Sequence, residues 1–249
     1  MNHLVGIPEP RRVLAGRGAG WLGDGWRMFL AAPGIWFLIT LAALALQAFA
    51  LLIPLLGVPT FIVCLGGLMA ACARADSARM DGDSFVQGVT RHAGQLALLS
   101  IAALVGTGVA MATAVSVLAL LGGSVAITTM AQAAALPPAD ALSQLAFVAA
   151  QFLGVLLIAL LAATIPMTVL MMALWFAPAL VVLRDLPALT ALRVSFIACL
   201  KNWWPLTTYC LLLVPLSFLI VVSAFLGVLL VTPMLLGSLY ASYRDVFPS

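Results

Sequence analysis

The feature that most constrains this chain is the spacing of its charges, which leaves three long stretches with almost none. Short segments rich in basic residues separate these stretches, which cover residues 28–73, 92–183 and 202–243. Each stretch can cross a bilayer, because a span of the hydrocarbon core needs about 20 apolar residues. A soluble domain carries charge on about a quarter of its residues, whereas only 8% of this chain is charged and 65% is hydrophobic. The sequence therefore predicts an all-α membrane protein.

The basic segments also predict how often the chain crosses the membrane. Lys and Arg collect on the cytoplasmic side, so a stretch that begins and ends beside them must cross an even number of times. Two crossings per stretch give six transmembrane helices with both termini in the cytoplasm. The predicted spans are 34–56, 57–74, 95–122, 151–183, 203–224 and 226–243. The outer connections, which contain no Lys or Arg, are 55–59, 123–150 and the turn near Gly227.

An internal repeat relates these spans to one another. Residues 25–74, moved by 170 positions, align with 195–244 without a gap, and a longer copy is predicted over 84–184. The coincident positions are Gly57 and Gly227, Gly67 and Gly237, Ala71 and Ala241, and Arg74 and Arg244. We predict three parallel helical-hairpin repeats, each preceded by a short amphipathic cytoplasmic helix in the headgroup layer. Gly67 and Gly237 are predicted to lie at helix contacts.

Two segments outside the repeats differ in what they indicate. Residues 1–20, which contain Pro8, Pro10 and several glycines, are predicted to form a flexible cytoplasmic leader. Residues 21–249 are predicted to form a single six-span transmembrane domain. Segment 123–150 matches no motif, so the sequence assigns it no role.

Six basic residues recur at the cytoplasmic ends of the repeats, and we call them the basic collar. They are Arg27, Arg74, Arg91, Arg184, Lys201 and Arg244. Anionic headgroups create a negative potential at the inner surface of a membrane, where each nearby basic residue contributes about 1 kcal/mol of attraction. We predict that the basic collar binds membrane lipid, with anionic phospholipid favoured, or a membrane-protein partner.

The tryptophans lie near the same cytoplasmic charges. They are Trp21, Trp26, Trp36, Trp175, Trp203 and Trp204. Tryptophan is enriched at membrane–water interfaces because its ring is amphipathic. These six residues are therefore predicted to be interfacial aromatic anchors.

Inside the predicted spans the chain has few polar groups. No acidic, basic or histidine side chain occupies the centre of a span, which argues against proton-coupled transport. Gln47, Thr107 and Ser217 are the polar residues that could line a pathway. A continuous polar cavity formed by them would favour the alternative function, a facilitative carrier or channel for a small or apolar solute.

Sequence motifs for enzymes are absent. His3 and His92 are the only histidines, and the chain has no H-E-x-x-H motif, no Walker-type loop and no nucleophile elbow. We therefore expect no catalytic, cofactor-binding or metal-binding residues, and no nucleic-acid partner. The predicted function is that of a non-enzymatic membrane component.

Four motifs together resemble a family of uncharacterised six-span inner-membrane proteins of proteobacteria. They are the opener Gly25-Trp26-Arg27-x-Phe29, the stretch 175–180 (WFAPAL), the helix from Ser195-Phe196 to Lys201-Asn202-Trp203, and the ending 240–247 (YASYRDVF). The resemblance covers most of the chain from Trp21 onward, and the ending is its most specific part. It implies a bacterial inner-membrane location and a six-span helical fold, and it implies no activity.

Overall fold

The computed structural model describes residues 8–53, 55–76, 83–133, 141–223 and 227–248. Within these ranges the chain is helical, without a β-strand, which confirms the predicted all-α class. The helices are α1 (Arg17–Ala31), α2 (Pro33–Leu51), α3 (Gly57–Asp76), α4 (Asp83–Ala133), α5 (Ala141–Leu174), α6 (Ala177–Arg184), α7 (Ala188–Lys201), α8 (Trp203–Val222) and α9 (Val228–Val246).

Five helical segments are long and apolar enough to cross a membrane. They are Pro33–Leu51, Gly57–Asp76, Phe85–Thr129, Ala146–Arg184 and Trp203–Val222. The chain is thus a helical protein of the membrane class. Helix α9 occupies the predicted sixth span but is not among the five, because its last turns carry polar residues such as Ser242, Arg244 and Asp245.

Helix boundaries follow the residues that interrupt backbone hydrogen bonding. Pro33 stands in the first turn of α2, where its missing N–H removes no helical bond. Pro187 immediately precedes α7. The break between α5 and α6 comes just before Pro178, and α6 ends at Asp185, whose φ of 52° is left-handed. An Asp tolerates this conformation better than most residues.

The second predicted amphipathic helix differs from the first and third. Helices α1 and α7 are separate from the spans that follow them, whereas the residues after Asp83 continue into the span as one helix of 51 residues, α4. No proline lies between Asp83 and Ala133, so no proline separates the predicted amphipathic helix from the span that follows it.

Helical residues extend into two of the predicted outer connections. Helix α3 already begins at Gly57, inside the connection predicted over 55–59. Within the predicted segment 123–150, residues 123–133 belong to α4 and residues 141–150 belong to α5. The intervening residues lie outside the described ranges, as do Phe225 and Leu226 at the third connection.

The chain divides into two compact units. One unit comprises Met1–Leu104 and Met172–Ser249, and its core forms where α1 packs along α9 and α3 packs on α6. The largest fully buried side chains of this core include Trp21, Phe176 and Leu180. Polar contacts in this unit define the candidate site.

The other unit comprises Val105–Met171. Here small residues such as Ala110 and Ala159 are buried, and Gly106 meets the side chain of Leu170 so closely that an added Cβ would lie 2.5 Å from Leu170 Cδ1. Close contact through small residues is the usual way for membrane helices to pair.

Candidate functional site

Two glycines bring α1 against α9 and so position the charged residues of both helices. A Cβ added at Gly25 would lie 2.2 Å from the carbonyl oxygen of Met234, and one added at Gly237 would lie 3.0 Å from Gly25 Cα. A Cβ added at Gly67 would lie 2.5 Å from Phe85 Cε2. The prediction that Gly67 and Gly237 lie at helix contacts is confirmed.

The end of α9 is held by α1 through Asp245. This carboxylate accepts hydrogen bonds from Arg17 Nε (2.8 Å) and from Trp21 Nε1 (2.9 Å). Arg17 also pairs with Asp24 at 3.1 Å. The hydrogen bond to Asp245 raises the pKa of the Arg17 guanidinium, which therefore stays charged.

A second ion pair ties α9 to the end of α3. Arg244 Nη1 lies 2.9 Å from Asp76 Oδ1 and 2.8 Å from Asp76 Oδ2. This bond to Asp76 raises the pKa of Arg244. On α1, Arg27 pairs with Asp24 three residues earlier.

These two pairs line a cavity of about 560 Å³ between the ends of α1, α3 and α9 and the start of α2. Its charged residues are Asp24, Arg27, Asp76 and Arg244, so the lining has two positive and two negative groups. The volume falls within the range of about 300–1,000 Å³ that is typical of small-molecule sites. We call this space the α1–α9 cavity.

An unsatisfied donor also belongs to the lining of the α1–α9 cavity. Trp36 is 1% exposed, and its indole Nε1 has no hydrogen-bond partner among the described residues. One turn later on α2, the buried Thr40 Oγ1 likewise lacks a partner within those residues. Buried polar groups are normally bonded, so these two atoms are exceptions among the described residues.

The structure divides the basic collar into different environments. Arg27 and Arg244 line the α1–α9 cavity. Arg184 instead donates to Tyr243 Oη (3.3 Å) and to the carbonyl oxygens of Phe247 (3.2 Å) and Pro248 (3.0 Å), which fixes the end of α9.

The other three collar residues lie away from the cavity lining. Arg91 pairs with Asp185 at 3.3 Å, Lys201 Nζ lies 3.5 Å from the carbonyl oxygen of Pro10, and Arg74 is exposed. His92 Nε2 lies 2.8 Å from Asp185 Oδ1. The hydrogen bond from His92 and the charge of Arg91 lower the pKa of the Asp185 carboxyl.

The six tryptophans also separate by exposure. Trp26, Trp203 and Trp204 are exposed, as an interfacial anchor requires, and Trp175 is half-buried. Trp21 and Trp36 are buried to 0% and 1% exposure, so their rings pack against protein. The sequence could not distinguish the exposed tryptophans from the buried ones, because both lie near charged residues.

The three predicted polar lining residues lie in different environments. Gln47 Nε2 donates to the carbonyl oxygen of Gly57 at 3.0 Å, which closes the α2–α3 hairpin. Ser217 is exposed and donates to the carbonyl oxygen of Leu213. Thr107 belongs to the unit Val105–Met171.

Residues near the predicted leader boundary make specific contacts. Asn202 accepts a hydrogen bond from Val13 N (2.8 Å) and donates to Arg11 O (2.9 Å), and Arg11 N donates to Val246 O (3.0 Å). Helix α1 begins at Arg17, before the predicted boundary at residue 20. Each of these hydrogen bonds joins residues that are far apart in sequence. A periodic sequence pattern therefore could not predict them.

Sequence reasoning missed the acidic half of the site. Asp24 and Asp76 lie beside basic residues in the same short segments that gave the basic collar. All eight acidic residues except Asp140 lie in or beside these segments, a clustering that could have indicated paired charges. Within the described residues, no group of three or more His, Cys, Asp or Glu side chains could hold a metal ion.

No protein-family model, curated protein or solved structure shows a significant match to this chain. The candidate site combines charged hydrogen-bonding groups at helix ends with a cavity beside the apolar helix α2.

Proposed function

We propose that this chain is a non-enzymatic component of the bacterial inner membrane that binds phospholipid headgroups. The observation that carries the proposal is the α1–α9 cavity, where Arg27 and Arg244 lie beside the start of the apolar helix α2. Guanidinium groups bind phosphate in bidentate geometry and remain charged at any physiological pH. Both residues belong to the basic collar.

The surroundings of the cavity suit a lipid. Ile35 belongs to its lining and is 47% exposed, and Leu38, one turn further along α2, is 67% exposed. Side chains three residues apart lie on the same helix face. An apolar track therefore leads from the charged cavity along a membrane helix, where acyl chains can follow the headgroup.

The proposed topology has six spans, with α9 as the sixth, in three parallel hairpin repeats. Helix bounds support the outer two copies. Moved by 170 positions, α1 falls on α7, α2 on α8 and α3 on α9, with every helix end within one residue of its counterpart. Both termini and the charged cavity then face the cytoplasm.

Reporter fusions test this topology. A reporter enzyme that is active only in the periplasm should be active when fused near Pro137 and inactive near Gly82 or after Ser249. These three positions lie outside the described residues. An active fusion near Gly82 would contradict the six-span arrangement.

Lipid retention tests the proposed function. The double variant Arg27→Gln/Arg244→Gln should lose most of the phospholipid that native mass spectrometry detects on the purified wild-type chain. The matched control is Arg91→Gln/Lys201→Gln, which removes the same charge from collar residues away from the cavity lining and should retain lipid. Folding is checked by size-exclusion chromatography. Equal retention by both folded variants would contradict a headgroup site in the cavity.

A further inference from the structure

We propose that the α1–α9 cavity selects a headgroup that carries both a phosphate and a primary ammonium, as in phosphatidylethanolamine. This inference rests on the proposed lipid-binding function and names its ligand class. It comes from the charge balance of the lining, where the guanidinium groups of Arg27 and Arg244 are matched by the carboxylates of Asp24 and Asp76.

A purely anionic headgroup does not fit this balance. Its phosphate would approach Arg27 or Arg244 but would meet the carboxylate already paired with each. Bringing like charges together in a partly desolvated cavity is unfavourable. A zwitterion avoids this cost because its phosphate faces the arginines while its ammonium faces the aspartates, and the filled site stays neutral.

The paired side chains have hydrogen-bonding capacity left for such a ligand. A carboxylate offers about four lone-pair sites, and Asp76 accepts two bonds, both from Arg244 Nη1. A guanidinium has five N–H donors, and the contact with Asp24 engages only Nη2 of Arg27. The existing ion pairs can therefore stay in place while the ligand binds beside them.

A quaternary ammonium fits the cavity less well than a primary one. Trimethylammonium groups cannot donate hydrogen bonds to carboxylates and are usually held on open aromatic faces. The aromatic residues of the lining are Trp36, which is 1% exposed, and Tyr240, which is 7% exposed and stacks on Tyr243. Their faces are covered, whereas Asp24 and Asp76 can accept from a primary ammonium.

The selectivity can be measured with the full chain in nanodiscs that contain equal amounts of phosphatidylethanolamine, phosphatidylglycerol and phosphatidylcholine. We expect native mass spectrometry to show phosphatidylethanolamine retained at least about tenfold over the other two lipids. Equal retention of phosphatidylglycerol and phosphatidylethanolamine would overturn this inference and leave lipid binding intact. Retention of none of the three would overturn the proposed function as well.

A matched pair of variants tests the role of the carboxylates. Asp76→Asn gives the lining a net positive charge and should shift retention toward phosphatidylglycerol. Asp185→Asn removes a carboxylate that pairs with Arg91 rather than with a cavity residue, and should keep the wild-type preference. An unchanged preference in folded Asp76→Asn would overturn the inference.

A soluble competitor separates a lipid from a free metabolite of the same chemistry. Glycerophosphoethanolamine has the same headgroup without acyl chains, so it cannot use the apolar track of Ile35 and Leu38. We expect an excess of it to leave the bound phosphatidylethanolamine in place. Displacement at concentrations similar to those of the lipid would overturn the assignment to a lipid.

Discussion

The segments α1–α3 and α7–α9 have helices that agree in order and, within one residue, in length, but they differ in chemistry. The lining residues Asp24, Arg27, Trp36 and Asp76 of the first segment correspond, 170 positions later, to Val194, Ile197, Leu206 and Val246. All four polar or charged groups are therefore replaced by aliphatic side chains. Within a common helical framework, the first copy contributes three of the four charged lining residues of the α1–α9 cavity, and α9 of the third copy contributes Arg244.

The third copy instead carries polar groups that stabilise the fold. Ser195 corresponds to Gly25, and Asn202 corresponds to Ala32. Ser195 Oγ donates to Met172 O (2.8 Å) and accepts from Phe176 N (2.9 Å), so it satisfies backbone groups at the break between α5 and α6. The residue that replaces Gly25 in the third copy thus supports the backbone at this break.

The largest expected effect is on the close contact between Gly25 of α1 and the backbone of α9. Gly25→Ala places a methyl group 2.2 Å from the carbonyl oxygen of Met234, a backbone atom that cannot easily move away. We expect a loss of about 3 kcal/mol in the free energy of unfolding through overpacking, measured by denaturant titration in detergent.

The matched control for this change is Gly23→Ala, two residues away on the same helix. An added Cβ there meets nothing within 4 Å, so only the gain in helix propensity remains, at most about 1 kcal/mol. Equal stability of the two variants would contradict the close α1–α9 packing.

A smaller loss is expected at the equivalent position of the third copy. Ser195→Ala leaves the buried Phe176 N–H without this partner, while the half-buried Met172 carbonyl keeps its contact with Cys199 Sγ, at a cost of about 1–3 kcal/mol. Ser217→Ala removes a hydroxyl that is exposed and bonds only within its own helix, so it should change the free energy of unfolding little. The two variants can be compared by the same titration, and a larger loss at Ser217 would contradict the structural role of Ser195.

Much of the helical framework could be predicted from the sequence. Charge-free stretches indicated the spans, and the coincidence of Gly57 with Gly227 anticipated the start of α3 and the N-terminal flank of α9. The continuous helix α4 was not predicted. The internal repeat suggested a break between the amphipathic helix and the span that follows it, but no proline lies there. Helix boundaries depend on residues that are close in sequence, so many of them can be predicted without a structure.

The site was predicted only in part. Arg27 and Arg244 were in the basic collar, but the pair between Arg244 and Asp76 joins residues 168 positions apart. The burial of Trp36 depends on the packing of several helices rather than on its neighbours in sequence. Long-range pairing and cavity shape have no periodic signature, so the carboxylates and the unsatisfied indole became visible only in three dimensions.

The smallest effect concerns the exposed cluster of Arg91, His92 and Asp185. Because its pKa is lowered in the folded state, Asp185 stabilises the protein above its ordinary pKa of about 3.9. This contribution is lost as the pH falls through the folded-state pKa. For an exposed pair it amounts to less than about 1 kcal/mol.

Unfolding measured between pH 6 and pH 3 for wild type and Asp185→Asn checks this contribution. The difference in the free energy of unfolding between them should shrink as the pH falls. A difference that grows in acid would contradict the assigned sign.

A cryo-electron microscopy map of the full chain in phosphatidylethanolamine nanodiscs would test the central claim most directly. We predict headgroup density in the α1–α9 cavity, with phosphate near Arg27 or Arg244 and the amine near Asp24 or Asp76. We predict no such density beside Val194 and Ile197 in the third copy. An empty cavity, with ordered lipid instead at Arg74, Arg91 and Lys201, would contradict it.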